Sequence, residues 1–192
     1  IPAHGRICRV IGVVPDQIVT DYLELPCKTA DGHILSDTGN DLLRIFVVER
    51  HRASGNIGKG LVKGFGLRSG AIASSIGHDS HNIIVVGVDD SDILKAVTSI
   101  NKMGGGIVVV NDGKVLESLE LPIAGLMSDK PLEYVSSRMN DLLAATRTLG
   151  VTLEDPLMTL SFMALPVIPK LKLTDQGLVD VDKFKLVDLF VE

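Results

Sequence analysis

Five polar side chains, His78, Asp79, Ser80, His81 and Asn82, stand side by side after Gly77 and immediately before the apolar run 83–88. Two imidazoles, a carboxylate, a hydroxyl and a carboxamide can supply general acid/base groups, metal ligands or hydrogen bonds to a polar heterocycle. A continuous apolar run reads as a buried strand, and groups at its mouth are held by a rigid scaffold. The same residues could instead cap the strand and satisfy a buried turn. A second constellation, Glu49, Arg50 and His51, ends the run 42–48 and leads into a segment with seven glycines between Gly55 and Gly77. Adjacent charges at a strand end are usually a solvated terminus, whereas strand ends that open into glycine-rich loops are common ligand edges. Both clusters flank the same excursion, so His51 is expected to approach the 78–82 stretch.

The spacing of His78 and His81 (i, i+3) could bring both rings to one ion, with Asp79 nearby and His51 as a third ligand. Against this, the sequence has no H-x-H pair, no HExxH and no paired cysteine motif. Pro26-Cys27 lacks the second cysteine of the zinc nucleobase deaminases. His51, His78 and His81 are thus weak metal candidates, and no cofactor is expected within this chain. A Ser80, His51, Asp79 triad lacks a nucleophile elbow. Gly104-Gly105-Gly106 follows a helix, whereas phosphate loops precede one, so it reads as a helix C-cap and a tight strand entry.

The elements that must position these groups are legible in outline. Runs 6–14 and 17–25 are β-rich and separated by Pro15-Asp16, Asp31-Gly32 is a hairpin turn, and 42–48 is a further strand. Glycine density in 55–77 weakens regular structure but lets backbone approach backbone or ligand. Residues 83–88 form a strand, Asp90-Ser91 offer capping oxygens, and Ile93, Leu94, Val97, Ile100 and Met103 recur at helical spacing. With the strand 107–110 they make a βαβ crossover, whose two strands should be parallel. Asn111-Asp112-Gly113 turns the chain back into an antiparallel partner, 114–121. A second helix starts at Asp129 and Pro131, carries Leu132, Val135, Met139, Leu142 and Leu143 on one face, and stops at Gly150. Residues 157–168 suggest a short buried helix bounded by Pro166, and 174–177 a turn before an apolar alternation at Phe184, Val187 and Phe190. The expected architecture is α/β: a mixed β-sheet with covering helices, one βαβ crossover and one domain over 1–192.

Composition narrows the function classes. The chain is 45% hydrophobic with a net charge of −5 from interspersed charges and no basic stripe, and it has no Trp. Nucleic acid is therefore not an expected partner. No apolar run is long enough to cross a bilayer. Cys8 and Cys27 have no metal-type spacing, which points to reduced thiols in the cytoplasm while leaving a disulfide between them open. The opening Ile-Pro-Ala-His, without an initiator Met, suggests a portion of something longer.

A resemblance runs through several ordered blocks: Val47-Val48-Glu49-Arg50-His51, Gly64-Phe65-Gly66-Leu67, Gly70-Ala71-Ile72-Ala73-Ser74-Ser75 and 78–87. It continues through Gly104-Gly105-Gly106, Leu121-Pro122-Ile123-Ala124-Gly125-Leu126-Met127-Ser128 and Leu165-Pro166-Val167-Ile168-Pro169, then on to Asp180. In these blocks the chain resembles the carboxyl-terminal domain of microbial adenine deaminases. The resemblance implies an amidohydrolase that converts adenine and water to hypoxanthine and ammonia. It implies a divalent manganese or iron centre in an amino-terminal (β/α)8 barrel, which these residues do not contain. Expected partners are that barrel, adenine as substrate and a second copy in a homo-oligomer. Glu49, Arg50, His51, His78, Asp79, Ser80, His81 and Asn82 are then pocket candidates, with no catalytic residue assigned here. The alternative is a packing or oligomerisation domain without a catalytic part.

Overall fold

The computed structural model describes residues 1–191, which form thirteen strands and three helices. At its centre is an eight-stranded mixed sheet. Numbered along the chain and taken in order across the sheet, its strands are β10 (Lys114–Glu120), β9 (Gly106–Asn111), β7 (Ala71–Ser74), β8 (Ile83–Gly87), β5 (Leu42–Val48), β6 (Ile57–Lys63), β1 (Ile7–Val13) and β2 (Thr20–Pro26). The short hairpin β3 (Thr29–Ala30) and β4 (His33–Ile34) turns at Asp31-Gly32. Strand alternation feeds both faces, since Leu43, Ile45 and Val47 of β5 enter the main core on one, while on the other Phe46 and Val48 pack on a second cluster and Leu42 joins a third.

Helix α1 (Asp90–Met103) covers one face, setting Ile93, Ala96 and Ile100 against Ala73, Val85 and Val108. The opposite face lies under α2 (Leu132–Thr148), α3 (Pro156–Phe162) and a small sheet of β11 (Leu171–Thr174), β12 (Gly177–Asp180) and β13 (Lys185–Val187). Leu142, Leu160, Leu173 and Leu178 carry that contact, each buried leucine contributing roughly 1.5–3 kcal/mol. Among the described residues no helix is long and apolar enough to cross a membrane.

The βαβ crossover is present, because β8 and β9 are both antiparallel to β7 and hence parallel to one another. They are not neighbours, since β7 lies between them and its Ala71 and Ala73 leave room for α1. The neighbouring parallel pair is β1 with β6. The helix cap falls one residue earlier than the sequence suggests. Asp89 accepts from the Asp92 N–H at 3.1 Å, while Asp90 pairs instead with the buried Arg44. Gly104, with φ of 72°, is the left-handed C-cap of α1.

The glycine-rich segment is more regular than its composition suggests, for it contains β6 and β7. In β6, Gly58 is where the β11–β12 turn at Thr174 lies against the strand, leaving no room for a Cβ. Leu132 is 76% exposed and Phe184 85% exposed, so both leave the buried faces expected of them. Helix α3 ends at Phe162, before Pro166. Cys8 and Cys27 are free thiols, and burial together with the adjacent Cys27 side chain pushes the Cys8 pKa up.

One end of the sheet gathers the connections that matter. There β5, β7 and β10 finish while β6, β8 and β9 begin, as the pairings Val48↔Ile57, Val48↔Ile83, Ser74↔Ile107 and Glu120↔Gly106 require.

Lys172 has no counterpart in the sequence reading. It is fully buried on β11, its ammonium donates to the Ile18 carbonyl at 2.8 Å, and desolvation lowers its pKa from 10.5 to about 8. Between those values the unfolded chain holds the proton that the folded chain releases, so stability rises with pH across that window and the deficit is complete below pH 8. The stability difference between the wild type and Lys172→Met is expected to shift in favour of the wild type from pH 8 to 10.5. Urea titrations of both across that range check this, and a pH-independent difference would contradict it.

Candidate functional site

At that end of the sheet Arg50 ties three connections together. Its Nε donates to the His81 carbonyl at 2.6 Å, and one terminal nitrogen donates to the Ala124 carbonyl at 2.8 Å. Its backbone N–H donates to Asn82 Oδ1 at 3.3 Å. The guanidinium lies over Gly125, whose φ of 73° suits glycine and whose missing Cβ would come within 2.7 Å of Arg50. From below, the buried Ser75 hydroxyl donates to the Gly125 carbonyl at 2.6 Å.

Glu49 is occupied by its own loop. Its carboxylate accepts from the N–H groups of Ser54 at 3.0 Å, Arg52 at 2.7 Å and His51, and from the Ser54 hydroxyl at 3.0 Å. These bonds, that of the Ser54 N–H first, hold its pKa down to about 2. Glu49 is therefore a fixed anion that shapes residues 49–54. Asn82 is buried and serves the Arg50 backbone. These three of the predicted site residues are committed inside the junction.

The rest face outward or stand between. His51 is exposed, with Nε2 at 2.8 Å from the Ser80 carbonyl. A carbonyl can only accept, so Nε2 carries the proton, and Nδ1 of the neutral ring offers a lone pair. His81 sits at φ 53°, donates its N–H to the Gly77 carbonyl at 2.6 Å and meets the His78 ring edge-on at 5.5 Å. His78 packs in turn on Phe162 at 4.8 Å. His81 Nδ1 is buried without a hydrogen-bond partner among the described residues. Desolvation first, then His78 and Arg50, lowers the His81 pKa, which keeps that ring neutral at neutral pH. Asp79 and Ser80 form the exposed tip, and among the described residues their side chains make no hydrogen bonds. They line an open groove of about 460 Å³ with Pro166, Asp175, Gln176 and Leu186.

The two sequence clusters therefore meet, through His51 on Ser80 and Arg50 on His81 and Asn82. The weak metal set does not form, because His51 is turned to a carbonyl and His78 to Phe162. Among the described residues no three His, Cys, Asp or Glu side chains are grouped to hold an ion. The donors present do not fit the divalent centre that the family resemblance implies. Three contributors escaped the sequence reading as site residues: the Ala124-Gly125 turn, Phe162 and Gln176. The first had a signal in its Pro-x-x-Gly pattern, which marks a turn; Phe162 and Gln176 had none.

Residues 17–185 match the family model for the adenine deaminase C-terminal domain. The chain belongs to that family. It is 57% identical over 192 residues to an adenine deaminase of Methanothrix thermoacetophila, covering 100% of this chain and 34% of that protein. It is 55% identical over 190 residues to an adenine deaminase of Desulfatibacillum aliphaticivorans, covering 99% and 33%. Over 188 residues it is 52% identical to adenine deaminase 2 of Carboxydothermus hydrogenoformans, covering 97% and 33%. The chain thus spans about a third of the length of the curated relatives it matches.

Arg50→Met keeps the stem of the side chain and removes both carbonyl clamps. The expected loss is about 1–3 kcal/mol, with faster amide exchange at His81. Denaturant unfolding and hydrogen exchange check this, and an unchanged midpoint with unchanged exchange would contradict it.

Proposed function

We propose that this α/β domain is a working part of an adenine deaminase in the cytoplasm, placing the tip His51, Asp79 and Ser80 at the mouth of a purine pocket built largely by the rest of the enzyme. The reading rests on one observation: within a match that runs over residues 17–185, Arg50 spends its side-chain hydrogen bonds on the connections that hold the tip, whose Asp79 and Ser80 side chains make no hydrogen bond among the described residues. Glu49, Arg50 and Asn82 preorganise, while His51, Asp79 and Ser80 are available.

Adenine presents ring nitrogens that accept and an amino group that donates, and the tip is complementary to both. The Ser80 hydroxyl can donate to a ring nitrogen, and the Asp79 carboxylate or His51 Nδ1 can accept from an N–H. Closing such a tip over the ring excludes bulk water, which strengthens the polar contacts inside. The divalent metal, manganese or iron in the proposed barrel, supplies the activated water when bound. The role of these residues is to bind, orient and shield the purine. The internal bonding of Glu49, Arg50 and Asn82 favours a second reading, in which the domain only packs against its neighbours or a second copy.

Asp79→Ala combined with Ser80→Ala separates the two, since both side chains are exposed and unbonded. In the full-length enzyme the pair is expected to lower kcat/KM for adenine by on the order of tenfold to a thousandfold, with unchanged melting temperature and metal content. Unchanged kcat/KM would remove the pocket role.

A further inference from the structure

Residues 121–135 carry a polypeptide tip of a different character, on the same end of the sheet. The turn at 123–127 is closed by reciprocal bonds of 3.1 Å between the Ile123 and Met127 backbones, and by Leu126 N–H to the Ile123 carbonyl at 3.0 Å. Arg50 grips its Ala124 carbonyl and Ser75 its Gly125 carbonyl, so the turn is rigid. It nevertheless presents Ile123 and Met127 to solvent, followed by Leu132 and Tyr134 at the start of α2. Between them runs an apolar groove of about 460 Å³, floored by Leu126, Val135 and Met139 and edged by Ser128 and Lys130. A rigid apolar centre with a polar edge is the anatomy of a permanent interface, and a soluble surface rarely leaves one uncovered.

We infer that this groove is the docking face for the other two thirds of the full-length enzyme, with Met127 and Leu132 as its anchors. The inference rests on the proposed deaminase reading, because the relatives carry about twice as much further polypeptide as is present here. Location selects this occupant over a second copy. Arg50 bonds the turn and the His81 carbonyl at once, so a body seated on Met127 and Leu132 lies beside the His51–Ser80 tip. Docking and pocket closure then share one rigid junction. Preorganisation of the turn lowers the ordering cost of the contact.

Methionine oxidation in the full-length enzyme reads this directly. Within the domain Met127 is 58% exposed and Met158, on α3, 51% exposed, so the uncovered groove predicts similar rates of sulfoxide formation with hydrogen peroxide. Docking predicts that Met127 oxidises at least about tenfold more slowly than Met158, at every protein concentration. Equal rates overturn the inference, whether both residues are fast or both slow. Protection of Met127 that disappears when oligomers dissociate on dilution assigns the groove to a second copy and also overturns it. Met127→Lys is a second probe, expected to expose the junction between the two parts to limited proteolysis while the Arg50-bonded amides stay protected. Loss of the pocket role in the Asp79 and Ser80 variant with Met127 still protected would remove the functional reading and leave the docking face standing.

Discussion

The Arg50 guanidinium is the constraint from which the rest of the site follows. A charged donor that is half-buried has to find acceptors, and here the acceptors are backbone carbonyls of two separate connections. Hydrogen bonds from a charged group to carbonyls are stronger than neutral ones and fix direction as well as distance. The loops at 49–54, 77–82 and 121–127 are therefore one body, although they lie far apart in sequence. Gly125 is the complementary half of that arrangement, since any side chain there would displace the guanidinium.

This junction exists because of how the sheet is threaded. The antiparallel pairing of β5 with β6 and β8, of β7 with β8 and β9, and of β9 with β10 puts the ends of β5, β7 and β10 on the same side as the starts of β6, β8 and β9. The buried carboxamide of Asn82 and the hydroxyl of Ser75 lie at the base of these connections and satisfy backbone groups that would otherwise be orphaned. The framework leaves the Asp79 and Ser80 side chains exposed and unbonded at its tip.

Much of this was legible in the residue order, and the exceptions have physical causes. Strand β5 and the hairpin at Asn111-Asp112-Gly113 follow from an apolar run broken only by Arg44 and from a strong turn, both local signals. So does the meeting of the two polar clusters, since strand ends on either side of one excursion return to the same edge. Strand β6 was obscured because Gly58 and Gly60 answer to a contact with Thr174, Leu173 and Leu178 that no local pattern encodes. The burial of Lys172 is a tertiary outcome of the same small sheet closing over the β1–β2 connection. Residue types in the candidate site were visible, but which of them would turn inward was not. Glu49 and Asp79 are both carboxylates within two residues of a histidine, and only the path of residues 50–54 commits the first to its own loop.

The division of labour in the junction, Arg50 holding and His51, Asp79 and Ser80 presenting, is tested most directly by a structure of the full-length enzyme with bound hypoxanthine. At least one of the three presenting side chains is expected within hydrogen-bond distance of the purine or of a water bound to it, with Arg50 still on the His81 and Ala124 carbonyls. A purine enclosed entirely by the rest of the enzyme, with this tip remote from it and open to solvent, would rule out that division of labour.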